Sequence, residues 1–63
     1  MAPSDLNEIN TKIRLMKRSA DELSQLGKDF PAINRNVVRI LASIKMLEIN
    51  ISDLVELIHE NQT

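Results

Sequence analysis

Two apolar seams, separated by a short break, limit most strongly what this chain can fold into. Both seams advance by alternating steps of three and four residues, the a/d spacing of helices that pack side by side. The first seam comprises Leu6, Ile9, Ile13, Met16, Ala20 and Leu23. The second comprises Ile33, Val37, Ile40, Ile44, Leu47, Ile51, Leu54 and Ile58. The spacing therefore predicts two amphipathic α-helices.

The break is the segment "GKDFP", which ends at Pro31. Gly27 falls where the first seam ends and is expected to adopt the left-handed conformation that closes a helix. Pro31 disfavours helical geometry at Phe30 and suits the first position of a new helix. Phe30 continues the second frame upstream and is expected to cover the end of the hairpin. Ser4 is the expected N-cap of the first helix.

These signals predict an all-α fold, an antiparallel two-helix hairpin with helices at about residues 4–27 and 31–61. A connection of so few residues makes consecutive helices antiparallel neighbours. Ser52 could instead begin a separate last helix, but the seam keeps its frame across this position and favours one continuous helix. Residues 1–63 are expected to form a single helical-hairpin domain.

A chain of 63 residues has limited means of stabilising itself as a monomer. It contains no cysteine, so neither a disulfide nor a thiolate metal site is available. A lone hairpin leaves half of each helix in water, and oligomerisation is the remaining route to burial. The sequence therefore predicts self-association, most simply two hairpins in a four-helix bundle.

Aliphatic side chains outside the a/d seam indicate which surfaces would associate. With Val37 as position a, Leu41 and Val55 occupy position e and Leu57 position g, which widens the seam into a face for two neighbours. The predicted oligomer interface is Val37, Ile40, Leu41, Ile44, Leu47, Ile51, Leu54, Val55, Leu57 and Ile58. A second stripe follows the back of the same helix and could meet another partner. That stripe is Val38, Ala42, Met46 and Ile49.

The charge pattern gives a prediction about orientation. The formal net charge is −1, which provides no general attraction to nucleic acid or anionic membranes. The second helix is basic early, at Arg35 and Arg39, and acidic late, at Glu56 and Glu60. This gradient favours an antiparallel pair of second helices. The N-terminal residues lack the features of a secretory signal and no apolar run is long enough to span a bilayer, so a cytoplasmic location is expected.

A basic patch on the first helix supports a weaker hypothesis. Arg14, Lys17 and Arg18 share one helical surface, and Lys45 would lie beside them in an antiparallel hairpin. Such a patch could bind a phosphate backbone by charge alone. The chain has no Trp or Tyr to stack on bases, so nucleic-acid binding ranks third among the possible functions.

Catalytic and metal-binding chemistry have little support in the sequence. There is one histidine, and the single glycine stands outside any phosphate-binding motif. Glu56 and His59 have the Glu-x-x-His spacing of bundle metal sites, but in the heptad frame they face outward. We expect no enzyme activity, no catalytic residue, no metal site and no cofactor.

The sequence thus predicts a small protein–protein interaction module, structural, adaptor or regulatory, that acts as a homo-oligomeric helical bundle. The alternative is an accessory subunit or small chaperone that packs its second helix onto a larger partner. Light scattering would separate the two, because the first hypothesis requires self-association.

Overall fold

A computed structural model describes the backbone of residues 3–61 and the side chains of residues 4–58. Two helices make up the described chain, α1 (Pro3–Leu26) and α2 (Pro31–Asn61). They pack against each other as an antiparallel hairpin, which confirms the predicted all-helical fold. The bounds differ from the predicted ones by a single residue at each end of α1, and α2 continues through Ser52 without a break.

The turn is held by backbone hydrogen bonds. The amide of Gly27 donates to the carbonyl of Leu23 at 2.8 Å, and the amide of Phe30 donates to the carbonyl of Gly27 at 2.9 Å. The Asn34 amide then donates to the Phe30 carbonyl at 2.9 Å, which starts the bonding of α2. Pro31 is the first residue of α2 as predicted, where its missing amide hydrogen costs nothing.

Gly27 does not adopt the predicted left-handed conformation, since no described residue has a positive φ angle. The structure gives this glycine a different role. A Cβ atom at position 27 would lie 2.5 Å from Cγ2 of Ile33 and 3.0 Å from the carbonyl oxygen of Leu23. Gly27 is buried, and its lack of a side chain lets the start of α2 approach the end of α1.

Two smaller predictions about the helix ends are also wrong. Because α1 begins at Pro3, Ser4 lies inside the first turn instead of at the N-cap. Phe30 is 58% exposed and does not cover the end of the hairpin. At that end the side chain of Ile33, and not that of Phe30, lies closest to Gly27.

The core is a single line of side chains between the helices. With Leu6 and Val37 as position a in α1 and α2, the buried side chains all occupy position a. They are Ile13 (4% exposed), Ala20 (5%), Val37 (1%) and Ile44 (4%). Ile9, Leu41 and Ile51 pack against this line and are partly buried. The hairpin is a rod of 51 × 16 × 12 Å.

Replacing Gly27 by alanine tests the close approach of the helices. The backbone at position 27 can accept alanine, and in open space this change would stabilise the fold by about 0.4–1 kcal/mol. Ile33 is β-branched and cannot easily rotate its Cγ2 atom away. We therefore expect the Gly27→Ala variant to lose about 1–3 kcal/mol in the free energy of unfolding, measured by urea denaturation.

The exposed residue Gln25 provides the control, because Gln25→Ala should change the free energy of unfolding by less than about 0.5 kcal/mol. Removing the obstructing methyl group with Ile33→Ala should reduce the cost of Gly27→Ala. A Gly27→Ala variant more stable than the wild type would show that the contact with Ile33 does not limit the approach.

Candidate interaction surface

The hairpin covers only one of the two rows of its heptad seams. The a residues lie between the helices, whereas four d residues in the middle of the hairpin remain substantially exposed. Met16 is 45% exposed, Leu23 43%, Ile40 46% and Leu47 39%. Apolar side chains of this size usually lose most of their exposure when they belong to a packed core. These d side chains are therefore not covered by other residues of the same chain.

The d residues of both helices lie on the same side of the hairpin. They flank a groove of about 670 Å³ whose lining includes Met16, Leu23, Ile40 and Leu47, with Ala20 and Ile44 also contributing. A second hollow lies between Asp5 and Leu47 and shares Met16 and Leu47 with the first. The two hollows thus form one continuous depression. We give the name open face to the five d side chains that line this depression together with Leu54, the next d residue of α2: Ile9, Met16, Leu23, Ile40, Leu47 and Leu54.

The opposite edge of the helix contact, the polar edge, carries charged and polar side chains beside the apolar Leu41 and Val55 of α2. Nζ of Lys17 lies 3.6 Å from Oε2 of Glu48, and the two side chains are 50% and 33% exposed. Both residues occupy position e, and α1 also places Asn10 and Ser24 there, half-buried. One edge of the hairpin is therefore apolar and the other carries an ion pair.

The structure divides the predicted oligomer interface into three parts. Val37 and Ile44 are buried inside the hairpin, and Leu41 and Ile51 pack against its core. Ile40, Leu47 and the half-buried Leu54 belong to the open face. The remainder lies beyond it: Ile58 is half-buried, Val55 is 51% exposed and Leu57 is 53% exposed.

The open face also contains residues that the predicted interface omitted. Ile9, Met16 and Leu23 come from α1, although the prediction took all its interface residues from α2. Their signal was present in the sequence, because all three occupy the first seam. The prediction did not include this seam in the interface.

The predicted second partner surface lies on the back of α2. Val38 is 61% exposed, Met46 57% and Ile49 39%, and Ala42 is also exposed. None of these four residues lines the groove. They follow the helix as a stripe, separate from the open face.

The predicted basic patch is exposed but partly neutralised. Arg14, Arg18 and Lys45 are exposed, whereas Lys17 is paired with Glu48. Among the described residues there is no group of three or more side chains able to hold a metal ion. The side chain of His59 lies outside the described residues. Within the described chain, neither helix has a stretch long and apolar enough to cross a membrane.

No protein-family model, curated protein or solved structure gives a significant match to this chain. The interpretation of the open face therefore depends on its own residues.

The ion pair on the polar edge should contribute little stability. Both side chains keep substantial contact with water, which screens their attraction. We expect Lys17→Met, which keeps an aliphatic chain over the core edge, to change the free energy of unfolding by about 0–1 kcal/mol in a urea titration. Lys45→Met removes the same charge at an exposed site and serves as the control. A loss much larger than 1 kcal/mol at position 17 alone would show that the pair is a main stabilising contact.

Proposed function

We propose that this protein is a small protein–protein interaction module that works as a homo-oligomer, most simply a dimer of hairpins joined through their open faces into a four-helix bundle. The observation that carries the proposal is the difference between the two rows of each seam. The a row is at most 5% exposed at its four buried side chains, whereas Met16, Leu23, Ile40 and Leu47 are 39–46% exposed.

The geometry of helix bundles explains why a second hairpin fits this face. In a four-helix bundle each helix directs both its a and its d residues into a shared core. One hairpin satisfies only the a row. A second copy presents the same row of d residues and could cover it with side chains of similar size.

The total exposed surface supports the same conclusion. The chain exposes 5226 Å² of accessible surface. A compact folded protein of this mass exposes about 4,100 Å². The radius of gyration of 14.9 Å likewise exceeds the value of about 11 Å for a compact domain of this length. Pairing two hairpins along their length would bring both the accessible surface and the radius of gyration closer to the values for a compact protein of the same mass.

Self-association leaves the back stripe of α2 available. Val38, Met46 and Ile49 would face outward from such a bundle, where a further helical protein could bind. The hypothesis of an accessory subunit or small chaperone rests on this stripe and stays a prediction, as does nucleic-acid binding by Arg14, Arg18 and Lys45.

Two aspartate substitutions in α2 test the proposal directly. Leu47 and Ile49 are two residues apart, and each is 39% exposed in the hairpin, but only Leu47 lines the groove. We expect the wild type to have about twice the chain mass of 7.2 kDa by light scattering. Leu47→Asp would bury an unpaired charge in the bundle core and should weaken association by more than about 100-fold.

Ile49→Asp is the matched control and should leave the mass of the assembly unchanged. Loss of the dimer in Ile49→Asp with retention in Leu47→Asp would place the interface on the back stripe. A wild-type protein that is helical by circular dichroism and scatters as a 7.2 kDa monomer at 100 μM or above would contradict self-association.

A further inference from the structure

The proposed dimer leaves open how the two hairpins are oriented, and the structure favours one orientation. We infer that the two copies lie with their turns at opposite ends, related by a two-fold axis that is perpendicular to the helices and passes the layer of Met16 and Leu47. This inference rests on the proposed self-association through the open face. It adds the register of the two chains and the residues that meet.

The two ends of the hairpin differ in charge. At the open end, residues 4–14 and 51–58 carry four acidic side chains, Asp5, Glu8, Asp53 and Glu56, and two basic ones, Lys12 and Arg14. At the turn end, residues 26–39 carry three basic side chains and one acidic side chain. These are Lys28, Arg35, Arg39 and Asp29. The rod is therefore negative at one end and positive at the other.

Two open faces can be joined in two ways about a two-fold axis. An axis parallel to the helices places both turns at the same end, whereas a perpendicular axis places them at opposite ends. Each helix has antiparallel neighbours in both arrangements, so the helix dipoles do not select between them. The charges at the two ends of the hairpin do select between the arrangements. Like charges held together oppose association, whereas complementary charged patches favour it.

The same-end arrangement would place the four acidic side chains of one open end beside the same four of the other copy. The opposite-end arrangement places each acidic end beside a basic turn end. Arg39 lines the groove and lies eight residues before Leu47. A perpendicular axis at the Met16 and Leu47 layer makes α2 face the partner's α2, and Arg39 then lies within one residue of the level of the partner's Glu56.

The spacing of the open face fits this axis. Leu47 is midway along α2 between Ile40 and Leu54, each seven residues away. Met16 has the same relation to Ile9 and Leu23 in α1. Met16 and Leu47 line both hollows, so these two residues lie beside each other in the hairpin. Rotation about the perpendicular axis therefore places d side chains opposite d side chains along the whole face.

Cysteine cross-linking tests the orientation, because the natural chain has no cysteine to compete. We would prepare Ile40→Cys, Leu47→Cys and Leu54→Cys variants in the full chain, verify by light scattering that each remains a dimer, and treat them with a short bis-maleimide. In the opposite-end dimer the two Ile40 positions are about 21 Å apart along the axis, beyond the reach of the reagent. Ile40 instead lies level with the partner's Leu54.

We expect Leu47→Cys to cross-link to itself, and a mixture of the Ile40→Cys and Leu54→Cys proteins to give the mixed product, identified by mass spectrometry. The self-linked products of Ile40→Cys and Leu54→Cys should be at least ten times less abundant. Efficient self-linking of Ile40→Cys would overturn the opposite-end arrangement in favour of the same-end one.

The outcomes separate this inference from the proposed function. A wild-type protein that scatters as a monomer refutes self-association, and the orientation with it. A dimer in which none of the three cysteines cross-links refutes the open face as the interface. A dimer with the wrong cross-linking pattern refutes only the orientation.

Discussion

The line of closest contact between α1 and α2 determines which half of each seam is covered. Two helices touch along one line, and here small residues at Ala20 and Gly27 allow the backbones to approach at the turn end of that line. Val37 and Ile44 occupy the facing positions of α2 and are almost fully buried. With the a rows in contact, geometry turns the d rows of both helices towards the same side of the hairpin. The open face follows directly from this choice of contact line.

Such a narrow core links folding to association. Four nearly buried apolar side chains and their partly buried neighbours give a chain of 63 residues little to offset its loss of conformational entropy. Covering the open face adds burial without ordering more backbone. Under the proposed function, the stability of the hairpin would therefore depend on protein concentration, because a partner that binds only the folded chain stabilises it.

Much of the fold could be predicted from the sequence because local signals agree with each other. The alternation of three and four residues, the break before Pro31 and the unbroken run after it each favour the same two helices. Which row of the seam faces inside could not be predicted, because the a and d residues are equally apolar. That choice depends on how the backbones approach, and the decisive contact, between Gly27 and Ile33, joins residues of different helices.

The sequence indicated the kind of residue that forms the candidate site, but not which of these residues lie together on one surface. Of the predicted interface residues, Ile40, Leu47 and Leu54 lie on the open face, whereas Val37 and Ile44 are buried inside the hairpin. The interface itself stays a prediction. A heptad pattern identifies the apolar residues that are expected to be buried. It does not show which neighbouring helix buries them. The three-dimensional structure supplies that information, because it places d residues of both helices on one surface.

Under the proposed function, the polar edge limits how many copies of the chain can be joined through the open face. The pair Lys17–Glu48 makes the middle of the e side costly to bury, although the same side also carries the apolar Val55, which is 51% exposed. Association through the open face alone uses the same surface on both copies. An interface of that kind closes after two subunits, because neither copy retains an equivalent face. Under the proposed function, association through the open face alone therefore favours a closed dimer over an open-ended assembly.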